Sequence, residues 1–117
     1  MILKKLIDIL SADILWGDEH LNTEIKLACG SDLLSDVLSF IKPESILFTG
    51  LINTQVVRTA EIAEITAICF VHGKKPQAEA VELARNKKIV LLTTSLSMYE
   101  SCGRVYQAGL PGCDNAQ

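Results

Sequence analysis

The sequence predicts an α/β domain of three layers, with a mainly parallel central sheet of about five strands and helices on both faces. Three observations carry this. Apolar runs at Ser45-Ile46-Leu47-Phe48, Ala67-Ile68-Cys69-Phe70-Val71 and Ile89-Val90-Leu91-Leu92 recur at nearly even spacing. Each run stops at a turn rich in Gly, Thr or Ser, and a stretch with helical spacing follows. Strands that are apolar throughout are buried on both faces, as parallel strands joined by crossover helices are. Right-handed crossovers are expected to place helices on both sides of the sheet.

Each element follows from its own pattern. Leu3, Leu6, Ile7 and Leu10 form one helical stripe and predict a helix near 2–10. Residues 12–16 read as a short strand, and residues 24–29 alternate with the period of a half-buried one. Gly30-Ser31-Asp32 opens a helix over 31–41, carried by Leu33, Leu34, Val37, Leu38 and Ile41 and capped by Ser31 or Asp32. Pro43 stops it. Strands follow near 45–49, 67–71 and 89–93, and helices near 54–64, 76–86 and 97–108. Pro76 suits a first helical position, and Ser97-Met98-Tyr99-Glu100 is a capping box. Gly109 ends the last helix, so residues 1–109 read as one domain and 110–117 as a flexible tail.

A chain of 117 residues is one domain at most. Its 11 basic residues stand against 14 acidic ones, and a net charge of -3 gives no electrostatic case for nucleic acid. No apolar run approaches the ~20 residues that span a bilayer, and the first residues lack a signal peptide's cleavage site. A cytoplasmic protein with no membrane partner is expected. Cys29, Cys69, Cys102 and Cys113 show no paired spacing, so neither a metal nor any other cofactor is expected.

Candidate function lies in the loops after the strands, because open α/β sheets bind ligands at the carboxyl ends of their strands. Thr49, Gly50 and Asn53 follow one strand; His72, Gly73 and Lys74 the next; Thr93, Thr94 and Ser95 the third. Amides at helix starts, hydroxyls and lysine suit a phosphate or carboxylate. The same residue types also build any tight strand-to-helix turn. Arg58, about one turn into the following helix, either reaches that anion or pairs with Glu61 on the surface. His72 is an acid-base candidate at neutral pH or a plain loop residue. Asp32 and Asp36 share a helix face, as a cation pair or as a cap and a solvated position. Nucleotide-loop, hydrolase and metalloprotease motifs are absent.

These residues support three readings: a regulatory module that binds an anionic small molecule such as a nucleotide, a small enzyme acting on a phosphorylated or carboxylated substrate, and a structural subunit. No spacing fixes a nucleophile beside a base, which disfavours the enzyme. Leu96, Met98, Tyr99, Val105 and Tyr106 spread apolar surface around the last helix, and a homodimer is the expected way to cover it.

The run Leu47-Phe48-Thr49-Gly50-Leu51-Ile52-Asn53-Thr54-Gln55-Val56-Val57-Arg58-Thr59-Ala60 resembles the DRTGG domain family. So do Gly30-Ser31-Asp32-Leu33-Leu34-Ser35-Asp36, Ile68-Cys69-Phe70-Val71-His72-Gly73-Lys74-Lys75-Pro76 and the stretch from Leu92 to Tyr106. Of the residues that give the family its name, Arg58 and Thr59 are kept and a Gly-Gly pair is not. The resemblance implies a fold similar to the N-terminal domain of HPr kinase/phosphorylase and a non-catalytic, regulatory role. It also implies a protein partner in a larger complex, since short members resemble components encoded with ATP-binding and iron-sulfur proteins.

Overall fold

The computed structural model describes residues 1–115. The chain runs through α1 (Leu3–Leu10), β1 (Asp13–Trp16), β2 (Leu27–Gly30), α2 (Leu34–Phe40), β3 (Ser45–Thr49) and α3 (Thr54–Ile62). It continues through β4 (Ala67–Phe70), α4 (Ala78–Lys87), β5 (Val90–Thr93) and α5 (Met98–Gln107). Short 3-10 turns lie at Asp18–His20 and Cys113–Asn115. The five strands form one sheet in the order β1-β5-β4-β3-β2. β2 through β5 are parallel, and β1 closes the far edge antiparallel to β5.

The three apolar runs are β3, β4 and β5, and every residue of these strands is buried. Side chains alternate across the sheet and fill two cores. Leu47, Ile68, Phe70 and Leu91 pack with Val37, Val56, Val57, Ala60, Ala80 and Ala84, so α2, α3 and α4 share one face. Ile46, Phe48, Cys69 and Leu92 pack on the other face with Leu3, Leu6, Leu10 and Val105, from α1 and α5. Helices thus cover both faces, but crossover handedness does not distribute them. Because β2 to β5 follow one another across the sheet, their three crossovers fall on one side, and the chain's first and last helices cover the other.

Several boundaries differ from the sequence pattern for local reasons. The alternation at 24–26 belongs to the N-terminus rather than the sheet. The Ile25 amide donates to the Met1 carbonyl at 2.8 Å, and Ile2 bridges Glu24. Neither Ser31 nor Asp32 caps α2, which begins at Leu34: Ser31 accepts the Leu33 amide in a tight turn, and Asp32 points elsewhere. Pro76 lies ahead of α4, whose N-cap is Gln77. Asn53 caps α3 through the Val56 amide at 3.2 Å, and Ser97 caps α5 through the Glu100 amide at 3.1 Å. Each such cap contributes about 1 kcal/mol.

The segment expected as a flexible tail is packed at its start. Leu110 and Cys113 are buried. The Pro111 carbonyl accepts the Ala28 amide at 2.9 Å, and Gly112 makes a parallel bridge to Ala28 along the free edge of β2. A sheet edge left bare exposes unpaired backbone groups, and this segment satisfies part of it. Residues 116–117 of the expected tail lie outside the described residues.

Candidate functional site

The loops after β4 and β5 part toward opposite faces of the sheet, the first leading to α4 and the second to α5. Such a divergence ordinarily opens a crevice for a ligand. Here backbone hydrogen bonds close it. The His72 amide donates to the Leu96 carbonyl at 2.8 Å, and the Gly73 amide to the Thr94 carbonyl at 2.7 Å. The Thr93 hydroxyl donates to the Lys74 carbonyl at 2.8 Å. His72 and Gly73 both take left-handed φ values, 59° and 69°, which turn the chain toward these partners.

Thr94 is buried, and its hydroxyl donates to the Leu10 carbonyl at 2.7 Å, closing the C-terminus of α1. The same oxygen accepts the Leu96 amide at 3.3 Å. Two of the three residues expected after β5 therefore have their hydroxyls engaged within the protein, and Ser95 alone is exposed.

The β3 side differs. The Thr49 hydroxyl donates to Asp32 Oδ1 at 2.8 Å, and the Gly50 amide donates to the same oxygen at 2.7 Å. Thr49 Oγ1 accepts the Leu51 amide at 3.2 Å. Asp32 is exposed and ties the end of β2 to the end of β3, a role that sequence reading assigned to a helix cap.

Lys74 extends back over this turn, with Nζ 3.5 Å from the Gly50 carbonyl oxygen. A Cβ built on Gly50 would lie 3.2 Å from Lys74 Nζ and 3.6 Å from Asp32 Oδ2. A cation and an anion thus straddle the bare backbone of Gly50. Arg58 is exposed on α3 and makes no ion pair among the described residues. The expected Arg58–Glu61 pair is not formed, because Glu61 meets Lys87 of α4 at 3.0 Å. The structure therefore brings Thr49, Gly50 and Lys74 together, leaves Asn53 as a cap and Arg58 on the neighbouring helix surface, and joins His72, Gly73, Thr93 and Thr94 into the closed crevice.

Concavity lies elsewhere. An open groove of about 950 Å³ runs beside β2 and α5, lined by Ala28, Gly30, Met98, Cys102, Tyr106 and Leu110 among others. Sequence reading gave no sign of a groove here, because it forms only when the segment after α5 returns to the β2 edge. Met98 and Cys102 crowd Gly30 so closely that a Cβ there would meet Cys102 Sγ at 2.7 Å. Burial pushes the Cys29 thiol up to about 11 and the Cys69 thiol up to about 12, and raises that of Cys102. These cysteines are neutral thiols at neutral pH, poor nucleophiles and poor metal ligands. No cluster of three or more metal-ligating side chains occurs among the described residues.

No curated protein matches the chain. Among solved structures, it is similar to the CBS and DRTGG domains of the regulatory region of Clostridium perfringens pyrophosphatase, a structure complexed with the activator diadenosine tetraphosphate. The identity is 18% and the TM-score 0.73; the match covers 92% of this chain and 46% of that one. The chain thus spans about half the length of that relative, and the likeness is one of fold. The DRTGG domain model matches residues 5–108, the whole of the sheet and all five helices but the first residues of α1, and the chain belongs to the DRTGG domain family.

Proposed function

We propose that the protein is a non-catalytic regulatory module that senses an anionic small molecule, a nucleotide by preference, and passes its binding state to a protein partner. The observation that carries this reading is the Gly50 turn. An exposed ammonium from Lys74 stands over a backbone with no Cβ, and Asp32 holds the turn in place. With Asp32 already holding the Gly50 amide, the Lys74 ammonium is the group that would attract a phosphate, and the turn leads directly to the N-terminus of α3. Arg58, exposed on the adjoining α3, supplies further positive charge. Asn53, Thr93 and Thr94 support the loops from behind.

The solved relative is a regulatory region complexed with a nucleotide activator, which supports the same reading here. The hydroxyls of Thr93 and Thr94 donate to backbone carbonyls rather than to a base that would activate them. Among the described residues, no helix is long and apolar enough to cross a membrane. We place the module in the cytoplasm, as a homodimer within a larger assembly.

A thermal-shift series with mononucleotides, dinucleoside polyphosphates and acyl phosphates tests the ligand class. A ligand at a hundredfold excess over its Kd stabilises the fold by about 2.7 kcal/mol. A nucleotide that raises Tm for the native chain but not for Lys74→Ala supports the site. Equal stabilisation of both chains removes it from the Gly50 turn, and no response to any anion removes the sensing role.

A further inference from the structure

The outer face of α5 repeats about its own midpoint. Ser101 and Val105 are buried and mark the inner side. At 100° per residue, Gly103 points directly away from them. Nothing lies within 4 Å of a Cβ built on Gly103. Glycine inside a helix costs about 1 kcal/mol relative to alanine, and no neighbour among the described residues explains it. Tyr99 and Tyr106 flank it on one side, 88% and 65% exposed. Glu100 and Arg104 flank it on the other, paired to each other at 3.0 Å and open to solvent.

We propose that this face docks a second copy of the chain, with the two α5 helices antiparallel and crossing between Cys102 and Gly103. This deepens the homodimer of the functional reading and is independent of the ligand. A two-fold axis at the middle of the helix reverses the sequence direction and keeps each flank facing its own kind. The Tyr99–Tyr106 pair is centred between residues 102 and 103, so Tyr99 of one protomer meets Tyr106 of its partner. The Glu100–Arg104 pair is centred on residue 102, so each glutamate meets the partner's arginine within about one 1.5 Å helical rise. A different protein would not require the centres of the two pairs to fall within half a residue of each other. Gly103 lets the backbones approach closely at the crossing. The groove beside the tyrosines, about 950 Å³, gives their rings a seat next to Cys102 and Gly30.

Charge exchange tests the geometry directly. Sedimentation equilibrium at tens of micromolar is expected to show a dimer for the native chain. Glu100→Arg places two arginines against each other twice in every dimer, and Arg104→Glu does the same with glutamates. Each variant alone is expected to weaken association by about tenfold or more. An equimolar mixture of the two restores pairing, because the introduced arginine of one variant then faces the introduced glutamate of the other. Gly103→Gln, folded as judged by circular dichroism, is expected to be monomeric. A monomeric native chain overturns both the interface and the homodimer. A native dimer whose single variants remain dimeric, or whose mixture gains nothing, overturns the interface alone.

Discussion

The carboxyl ends of β4 and β5 and the open edge of β2 both lie beside α5, and they treat their polar and apolar groups in opposite ways. At the β4 and β5 ends, each threonine hydroxyl and the two leading loop amides have partners within the chain. The position where an α/β sheet usually parts has become a rigid seam. At the β2 edge, a groove remains and two tyrosines face solvent. The contrast shows that a favourable topological position is not enough for a site. What the surrounding groups already bind decides whether anything is left for a ligand.

Breaking the seam gives the largest expected effect. Thr94→Val leaves the Leu10 carbonyl without its donor in a buried place, and a loss of about 2 kcal/mol is expected in urea unfolding. Unchanged stability would show that the seam is not a structural element. Ser101→Ala should act in the opposite direction. Removing a buried hydroxyl with no partner among the described residues, and adding a better helix former, should raise stability by about 1 kcal/mol. A loss on this substitution would mean that the hydroxyl has a partner after all.

Two thiols of the sheet, in β2 and β4, provide a pH test. Cys29 and Cys69 are held as thiols in the folded chain, with values pushed up from 9.0 to about 11 and about 12. Above pH 9 the unfolded chain releases these protons and the folded chain keeps them. Their contribution to stability is complete below pH 9 and is lost as pH rises through 11 and 12. Denaturant midpoints should therefore fall across that window, and a Cys29→Ala, Cys69→Ala chain should lose part of the slope. The smallest effect on stability is expected at Lys74. Its substitution by alanine should shift unfolding by less than about 0.5 kcal/mol, because the side chain is exposed. Any nucleotide affinity should nonetheless drop. A large destabilisation would make Lys74 a structural strut instead.

Much of the frame could be read from the sequence, because it rests on burial. The runs that became β3, β4 and β5 are apolar at successive positions, and only a doubly covered strand needs that. The cap at Ser97 is local and was equally legible, whereas Asn53, a ligand candidate in the sequence, caps α3. What escaped depends on contacts between distant residues. Asp32 is 17 residues from Thr49, and nothing in its own neighbourhood marks it as a clasp between two strands. The alternation at 24–26 was real, but its partner is the first residue of the chain. Leu110 and Cys113 are apolar residues after a helix-ending glycine. Their burial depends on a free strand edge that no local pattern locates. The candidate residues after β3 were legible as turn chemistry, whereas the closing of the β5 loops against α1 and the start of the α4 loop was not.

Isotope-filtered NOE spectroscopy on a mixture of labelled and unlabelled chains bears most directly on the difference between seam and open edge. Only contacts between protomers give signals in that experiment. The proposed interface predicts cross-peaks from the ring of Tyr99 in one chain to the ring of Tyr106 in the other, and none from His72 or Ser95. Intermolecular peaks at the β4 and β5 loops, or no intermolecular peaks at all, would contradict it.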